Sequence, residues 1–412
     1  MTRHRALPSW LLLVLAALLA SPRAFAAAPP PDLYAGQWGT PGSGPSQFNS
    51  PNGVAVDAAG FVYVTDYVNN VVQKFTPAGA FIRQWGGGGT ASGQLNAPYG
   101  IAVDHTFKVY VVEYGNNRVS KFDSSGVFLG KWGSPGLGNG QFQNPTGVAV
   151  DDSANVYVTE PRRVQKFTYS GTFLVKWGGP GSGDGQFINA NGIACFDGRI
   201  YVVDTGNNRV QRFSRTGAFE LKWGVSGSGD GQFTQPAGCA ADRAGTVYVT
   251  DTNNHRVERF NPNGVYLGQF GIAGSGDGQF SYPFGAAVHR ANYEVYVADT
   301  FNYRVQRFVP NPVAGLGDGP ALAARLVSAR NPVRAATTLR YSLPRAGAAR
   351  LDILDPAGRR VRTLESGTLG AGEHSTVWDL RDAAGAPVRP GAYFARLAGA
   401  GVLRSVKLVV VR

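Results

Sequence analysis

Histidine is the residue type best suited to hold a catalytic metal in this chain, so the placement of its histidines decides whether a metal site is expected. After the first 31 residues the chain has four of them, His105, His255, His289 and His374. In the internal repeat described below, His105 and His289 fall at the turn after the first strand, and His255 falls in the loop at the opposite end. His374 lies outside the repeats. This spread predicts no shared metal ion, and no cofactor is expected.

Carboxylates paired with arginine form the second chemical pattern. An acidic residue, an asparagine and an arginine recur at fixed spacing, as in Asp204, Asn208 and Arg209. A catalytic set needs to occur only once, whereas this one returns in nearly every repeat, so it predicts a structural rim that hydrogen-bonds loop backbone. The rim residues are Asp66, Asp204, Arg209, Asp251, Arg256, Asp299 and Arg304. The third repeat departs from the pattern, because Glu160-Pro161-Arg162-Arg163 gives it a shorter loop.

Three glycine-rich loops, at 181–187, 227–233 and 274–280, share the sequence Gly-Ser-Gly-Asp-Gly-Gln-Phe. Each precedes a strand and offers one carboxylate, so neither a phosphate-binding loop nor a calcium loop fits, and tight turns with glycine at positive φ are predicted.

Cys195 and Cys239 replace valine or isoleucine on the innermost strands, which predicts buried thiols. Their register makes a disulfide doubtful, but the sequence leaves that question open.

An internal repeat sets the architecture that must position these residues. Tryptophan followed by glycine recurs at intervals of 47, 47, 45 and 46 residues, and Phe270 takes the sixth place after a further 47. The tryptophans are Trp38, Trp85, Trp132, Trp177 and Trp223. Each interval reads as four short strands, which is typical of a β-propeller blade, because one small sheet must stack on neighbours to cover both of its faces. The tryptophans are interpreted as packing residues between blades.

The acidic residues that end each second strand indicate six blades. They are Asp66, Glu113, Glu160, Asp204, Asp251 and Asp299. The sixth unit lacks its outer strand, whereas residues 32–39 form an extra Trp-Gly strand ahead of the first unit. The sequence therefore predicts that this N-terminal strand completes the last blade and closes the ring.

The repeated segments resemble a known family. Pro51-Asn52-Gly53-Val54-Ala55-Val56-Asp57, then Val62-Tyr63-Val64-Thr65-Asp66, then Asn70 to Phe75, resemble the NHL repeat, in six copies that cover roughly 280 residues. The resemblance implies a six-bladed propeller with a central channel, which relatives use for protein binding, RNA binding, extracellular sensing or amidated-peptide lyase chemistry. Such a lyase would be expected to hold zinc through several converging histidines, which the histidine placement disfavours.

Positions that differ between copies are where a unique binding site is expected. On the face that carries the loops between second and third strands, blades one, two and six are aromatic, whereas blades three, four and five present Thr146, Asn191, Thr205, Thr252 and His255. The candidate ligand-binding residues are Tyr67, Tyr99, Tyr114, Phe284, Phe301 and Tyr303, with Tyr282 beside them. Exposed rings suit a peptide or glycan ligand, but the same rings could instead pack on loop prolines such as Pro51.

The C-terminal region is a different module. Six segments alternate or run apolar, and Asp355-Pro356-Ala357-Gly358 and Asp382-Ala383-Ala384-Gly385 read as turns, so a small β-sandwich is predicted. Asn331-Pro332, Val377-Trp378-Asp379, Gly391-Ala392-Tyr393-Phe394 and the neighbouring segments resemble the FlgD-type Ig-like domain and the C-terminal sorting domain of type IX secretion cargo. This resemblance implies surface delivery or an interaction module in a bacterial envelope protein.

The N-terminus and the charge distribution bear on location and partners. Basic residues at the start, an apolar run from Trp10 to Ala20 and small residues around Ala26 predict a secretory signal peptide. The net charge of +12 comes entirely from the first 31 residues and from residues 321–412, and residues 32–320 carry 21 basic and 21 acidic side chains. A neutral propeller disfavours nucleic acid as a partner.

The sequence thus predicts an all-β protein with a signal peptide at 1–28, a six-bladed propeller at 32–310, a linker at 311–321 and an Ig-like β-sandwich at 322–412. We expect a secreted or cell-surface binding scaffold with no enzymatic activity, with a protein, peptide or glycan ligand and no membrane span after signal cleavage. The alternative is a lyase or hydrolase with an active site in the channel.

Overall fold

Each repeat folds into one antiparallel sheet of four strands, so the all-β propeller prediction is confirmed. The computed structural model describes residues 33–310, 325–328, 332–343, 347–356, 358–370, 372–399 and 402–411. The predicted signal peptide and linker, and Asp32 at the predicted start of the first strand, lie outside these residues.

The strands run from the channel outwards in chain order. The first strands are Pro51–Val56, Pro98–Val103, Val148–Val150, Ala190–Phe196, Pro236–Ala241 and Pro283–Val288. The second strands are Val62–Asp66, Val109–Glu113, Val156–Glu160, Arg199–Asp204, Val247–Asp251 and Val295–Asp299. The third strands are Val71–Phe75, Arg118–Phe122, Arg163–Phe167, Arg209–Ser214, Arg256–Phe260 and Arg304–Val309. The outer strands are Phe81–Gly86, Phe128–Trp132, Phe173–Gly178, Phe219–Trp223, Tyr266–Phe270 and, for the sixth blade, Leu33–Trp38.

Short elements join the blades. A parallel pair, Thr40–Pro41 with Gln47–Phe48, leads into the first blade, and equivalent bridges precede the other five. Single 3-10 turns at Thr205–Asn207, Thr252–Asn254 and Thr300–Asn302 link second to third strands in blades four to six.

The second strands form the centre of each blade because both of their faces are covered. Valine and tyrosine alternate along them, as in Val62, Tyr63 and Val64, and all three are fully buried. β-branched and aromatic side chains suit such a strand, since they pack between the neighbouring sheets. Each interface between blades therefore holds its own apolar cluster.

The N-terminal strand closes the ring, as predicted. Leu33–Trp38 pairs antiparallel with Arg304–Val309, with Leu33 opposite Val309 and Trp38 opposite Val305. The inner strand of blade six also contacts that of blade one. Closure in this way leaves no open interface between the first and last blades.

The C-terminal domain is a two-sheet sandwich, also as predicted. One sheet contains Arg325–Ser328, Thr337–Leu343 and Gly372–Trp378, and the other contains Arg360–Leu369, Gly347–Leu354, Gly391–Gly399 and Val402–Val410. Leu351, Ile353, Trp378 and Leu397 are fully buried between them. The strand Arg325–Ser328 was not expected from the sequence. The strand Gly372–Trp378 ends two residues before Leu380, which has a left-handed φ of 61°.

Candidate functional site

The channel is narrowest at the end where the first strands begin. Six glycines occupy the same position in the six blades there: Gly53, Gly100, Gly147, Gly192, Gly238 and Gly285. A Cβ on any of them would overlap the backbone of the next blade, beginning with Gly53 against Tyr99 O and ending with Gly285 against Asn52 O. Glycine therefore allows the six inner strands to approach closely, and a shallow cavity of about 60 Å³ remains at this mouth.

Four of the predicted aromatic residues meet at this narrow mouth. The Tyr99 ring lies 6.0 Å from Tyr67, 6.1 Å from Tyr114 in a stacked arrangement, and 5.3 Å from Phe284. Tyr67 and Tyr114 are also 6.4 Å apart. All four rings are half-buried. We call Tyr67, Tyr99, Tyr114 and Phe284 the aromatic mouth, which spans blades six, one and two.

Tyr99 reaches past blade three and links blade two to blade four. Its hydroxyl accepts a hydrogen bond from Nδ2 of Asn191 in blade four at 3.4 Å. Burial, followed by the neighbouring Tyr67 and Tyr114, raises the pKa of Tyr99 well above its usual value despite hydrogen bonds from Asn191 and Asn52. The side chain of Asn52 is buried, and its Oδ1 has no hydrogen-bond partner among the described residues. The aromatic mouth therefore has a polar floor with one unused acceptor.

The remaining predicted aromatic residues do not join this cluster. Phe301 is 61% exposed and packs on Tyr282, with ring centroids 5.0 Å apart. Tyr282 in turn lies 4.6 Å from the ring of His255. Tyr303 has a left-handed φ of 56° and packs partly buried against the core between blades six and one. The sequence placed all six rings in one sector, but Phe301 packs with Tyr282, and Tyr303 packs on the core from the left-handed position that ends a 3-10 turn.

The expected polar half of this face is mostly structural. Thr205 Oγ1 donates to the Pro236 carbonyl at 2.7 Å, and Thr252 Oγ1 donates to the Pro283 carbonyl at 2.9 Å. Both threonines are buried. His255 accepts a hydrogen bond from the Tyr282 backbone at Nδ1, at 3.1 Å, so it belongs with the Tyr282–Phe301 group. The division into an aromatic and a polar half is therefore less sharp than predicted.

The arginines of the rim bind loop backbone. Arg209 Nε donates to Asp204 at 2.7 Å, and its terminal nitrogens donate to the carbonyls of Ser182, Gly183 and Gln186. Arg256–Asp251 and Arg304–Asp299 repeat these contacts at 2.8 and 2.7 Å. In blade one Asp66 has no arginine, and it accepts hydrogen bonds from Asn49, Ser50 and Asn69. These contacts are those of a structural rim, since every guanidinium is occupied by its own loop.

The opposite end of the channel opens into a cavity of about 530 Å³. Its rim is formed by the turns that follow the first strands, and these residues were not recognised from the sequence as a site. They include Asp152, Arg243 and Arg290, together with His105 and His289. The sequence placed His105 and His289 at the same turn of two repeats, and ring closure places both on one cavity. Blade-to-blade variation at this turn was the sequence signal that could have found them.

Both cysteines are buried and free. Cys195 lines the wide cavity and Cys239 lines the narrow one. Burial raises the pKa of both thiols well above the usual value, so neither is poised as a nucleophile. Among the described residues, no cluster of three or more His, Cys, Asp or Glu side chains could hold a metal ion. That part of the chain also contains no helix long and apolar enough to cross a membrane.

Fold and channel together define a closed six-bladed propeller that carries an Ig-like domain, and comparison with known proteins identifies its parts. The NHL repeat model matches residues 48–75, 187–213 and 233–260, and the FlgD Ig-like domain model matches residues 333–401. The chain therefore contains NHL repeats and a FlgD Ig-like domain. No curated protein matches the chain.

Several solved structures are similar to the propeller. A protein of unknown function from Bacteroides thetaiotaomicron has 16% identity and a TM-score of 0.53, and the match covers 66% of this chain and 76% of that one. A putative gluconolactonase has 14% identity and a TM-score of 0.50, with 68% and 94% covered. A catalytically inactive virginiamycin B lyase from Staphylococcus aureus, with quinupristin, has 16% identity and a TM-score of 0.46, with 65% and 82% covered. At these identities the likeness concerns the fold alone.

Proposed function

We propose that this protein is a secreted or cell-surface binding scaffold whose aromatic mouth captures a peptide or glycan. The single observation that carries the proposal is the cluster of Tyr67, Tyr99, Tyr114 and Phe284 at the narrow mouth, where Tyr99 and Phe284 line a shallow cavity with no charged lining residue. These rings are unique to three of six otherwise similar blades. They remain half-exposed although a core ring would be covered.

The chemistry of the mouth suits such a ligand. Flat rings provide contact area at little cost in side-chain entropy, and they stack on sugar rings or on apolar side chains. The unpartnered Oδ1 of Asn52 is an acceptor for a ligand hydroxyl or amide, because a buried carbonyl oxygen gains free energy when it finds a donor. Recognition would thus combine stacking on the rings with one hydrogen bond at the floor.

The C-terminal domain would deliver or attach this scaffold. Its basic excess of 15 Lys and Arg over 6 Asp and Glu in residues 321–412 favours contact with an acidic envelope polymer. Only part of this charge is neutralised, for example by the Arg359–Asp355 and Arg362–Asp379 pairs. We propose type IX sorting or envelope attachment as its role. Deletion of residues 322–412 should then leave the propeller off the cell surface in a type IX-competent bacterium, as measured by cell fractionation.

Capture from envelope extract and a glycan array test the binding proposal. The double variant Tyr67→Ala/Tyr114→Ala should lose at least about tenfold in apparent affinity, because two stacking surfaces are removed at the centre of the mouth. Tyr169→Ala is the matched control, since Tyr169 is 59% exposed on an outer turn of blade three. Thermal unfolding checks that both variants fold. Equal loss of capture in the two variants would contradict the proposal.

A further inference from the structure

The wide cavity at the far end of the channel has features that the aromatic mouth does not explain. Its wall is built from small apolar side chains, and one position in every blade is alanine. These residues are Ala55, Ala102, Ala149, Ala194, Ala240 and Ala287. A volume of about 530 Å³ lies in the range of pockets that enclose small organic ligands. The wall therefore suits an apolar body of that size.

Charge is distributed unevenly around the rim of this cavity. In blades one to three the rim is acidic, with Asp57, Asp104, Asp151 and Asp152. The first three are buried, and each accepts a hydrogen bond from a tyrosine hydroxyl of its own blade, at 2.9 Å. Only Asp152 is freely exposed, with 68% of its side chain accessible.

Hydrogen bonds hold the buried carboxylates of the rim in their charged form. Burial would raise the pKa of Asp104, but hydrogen bonds from Lys108, Thr106 and Tyr110 outweigh it, and the pKa is lowered. The same balance lowers the pKa of Asp151, where Asn155 and Tyr157 are among the donors. Asp104 and Asp151 are therefore negatively charged at neutral pH.

The basic side of the rim lies in blades five and six. Arg243 is exposed and has no ion-pair partner among the described residues. Arg290 reaches across the opening, where Nη1 donates to Asp152 Oδ1 and Nη2 donates to the Cys195 carbonyl, both at 3.2 Å. Asp152 and Cys195 belong to blades three and four, so Arg290 bridges opposite sides of the ring. His105 and His289 complete the polar lining.

The bridge made by Arg290 is easily displaced. Its side chain and that of Asp152 are 46% and 68% exposed, and an ion pair between such groups contributes little to stability in water. Each acceptor receives a single N–H, whereas a carboxylate can accept two parallel hydrogen bonds from one guanidinium. An incoming carboxylate would therefore compete well for Arg290, and it would release Asp152 to pair with a cation.

We propose that this cavity binds a short apolar peptide with free termini. The C-terminal carboxylate pairs with Arg290 and Arg243, the N-terminal ammonium pairs with Asp152, and the aliphatic side chains pack on the alanine wall. The volume of about 530 Å³ lies in the range of pockets that enclose small ligands, and a dipeptide is a ligand of that class. This site is independent of the aromatic mouth, since it opens at the other end of the channel.

Calorimetric titration of the full mature chain with the dipeptide Leu-Leu tests this assignment. N-acetyl-Leu-Leu and Leu-Leu-amide each lack one terminal charge, so each should bind at least about tenfold more weakly than Leu-Leu. Arg290→Met should weaken Leu-Leu binding by a similar factor. Arg83→Met should not, because Arg83 lies on the outer strand of blade one and donates to the Ser125 carbonyl. Ala102→Leu, which fills the wall, should also weaken binding.

The outcomes separate this assignment from the proposed function. No heat of binding with Leu-Leu, equal binding of the three ligands, or equal affinity of the Arg290→Met and Arg83→Met variants would each overturn it. The Tyr67→Ala/Tyr114→Ala variant should bind Leu-Leu as the unsubstituted chain does, and loss there would also overturn the separate site. Thermal unfolding of each variant distinguishes loss of the site from loss of the fold, and Arg243→Met provides a second test of the basic side.

Discussion

Trp38 in the N-terminal strand packs on Gly79 in the turn between the third and outer strands of blade one. A Cβ at Gly79 would lie 2.5 Å from Cε3 of Trp38, so the indole occupies the space that any other residue would fill. The same relationship links each later tryptophan to the next blade. The pairs are Trp85 with Gly126, Trp132 with Gly171, Trp177 with Gly217, and Trp223 with Gly264. Five of the six blades thus present an indole to a glycine of the next blade, and blade five presents Phe270 instead.

Substitution of Gly79 should weaken the interface between the last and first blades. Gly79→Ala is expected to lower the free energy of unfolding by about 2 to 4 kcal/mol, because the new methyl group overlaps Trp38 and the residue has a left-handed φ of 87°. Gly87→Ala is a matched control, since Gly87 has a φ of 106° but no atom near its Cβ position. Urea unfolding would measure both. Equal destabilisation would mean that backbone strain alone accounts for the effect.

Removal of the closing strand should destabilise the whole propeller. A chain that begins at residue 40 loses the pairing of Leu33–Trp38 with Arg304–Val309 and the packing of Trp38. We expect a loss of several kcal/mol in the free energy of unfolding, because ladder hydrogen bonds and apolar burial disappear together. A chain that begins at residue 32 keeps the strand and serves as the control. Unchanged thermal unfolding of the shorter chain would argue against closure by this strand.

Loss of a rim arginine should lower the free energy of unfolding much more than loss of an exposed ion pair. Arg209→Met removes the cation that pairs with the buried Asp204 carboxylate and one donor from each of three loop carbonyls, so a loss of about 3 to 5 kcal/mol is expected. Lys222→Met removes a pair with Asp184 whose side chains are 46% and 56% exposed, and it should change stability by less than about 1 kcal/mol. Denaturant unfolding of the two variants makes the comparison. Similar losses would show that Arg209 is not a structural rim residue.

Glu258 should make the stability of the propeller depend on pH. It is fully buried in blade five, at a position held by glutamine in four other blades, and burial raises its pKa to about 7 although Arg256 is close. Gln211 uses its amide to donate to the Gln186 carbonyl at 2.7 Å, whereas Glu258 Oε2 has no partner among the described residues. Protonation would let Glu258 donate in the same way.

The raised pKa of Glu258 determines whether stability rises or falls with pH. A carboxyl whose pKa is raised in the folded state stabilises the fold while it stays protonated, and this contribution is lost as the pH rises from about 4.5 through 7. Glu258→Gln should therefore gain on the order of 2 to 3 kcal/mol at pH 8 and much less at pH 4.5. Chemical unfolding at the two pH values measures the difference. The same gain at both values would exclude titration of Glu258 as the cause.

The sequence alone determined the number of blades, the order of their strands and the strand that closes the ring. These features follow from the repeat. Six units of about 47 residues, the last of which lacks its outer strand, cover both faces of every sheet only when they close into a ring. It also predicted the sandwich that follows, because alternation and Asx-Gly turns are local signals. Phe270 marks the limit of this reasoning. The sequence showed that it replaces tryptophan, but only the structure shows its partner, since its ring lies 4.6 Å from that of Phe308 in blade six.

Only the tertiary structure decided which variable residues meet. Tyr99 and Asn191 are 92 residues apart, and Arg290 and Asp152 are 138 apart, yet each pair joins blades that are not neighbours in the ring. Such contacts depend on side-chain direction and on the diameter of the closed ring. The glycines of the inner strands set this diameter, because they allow neighbouring strands to approach closely. For the same reason only four of the six predicted aromatic rings form one cluster, and His105 and His289, from the same turn of two different blades, line one cavity.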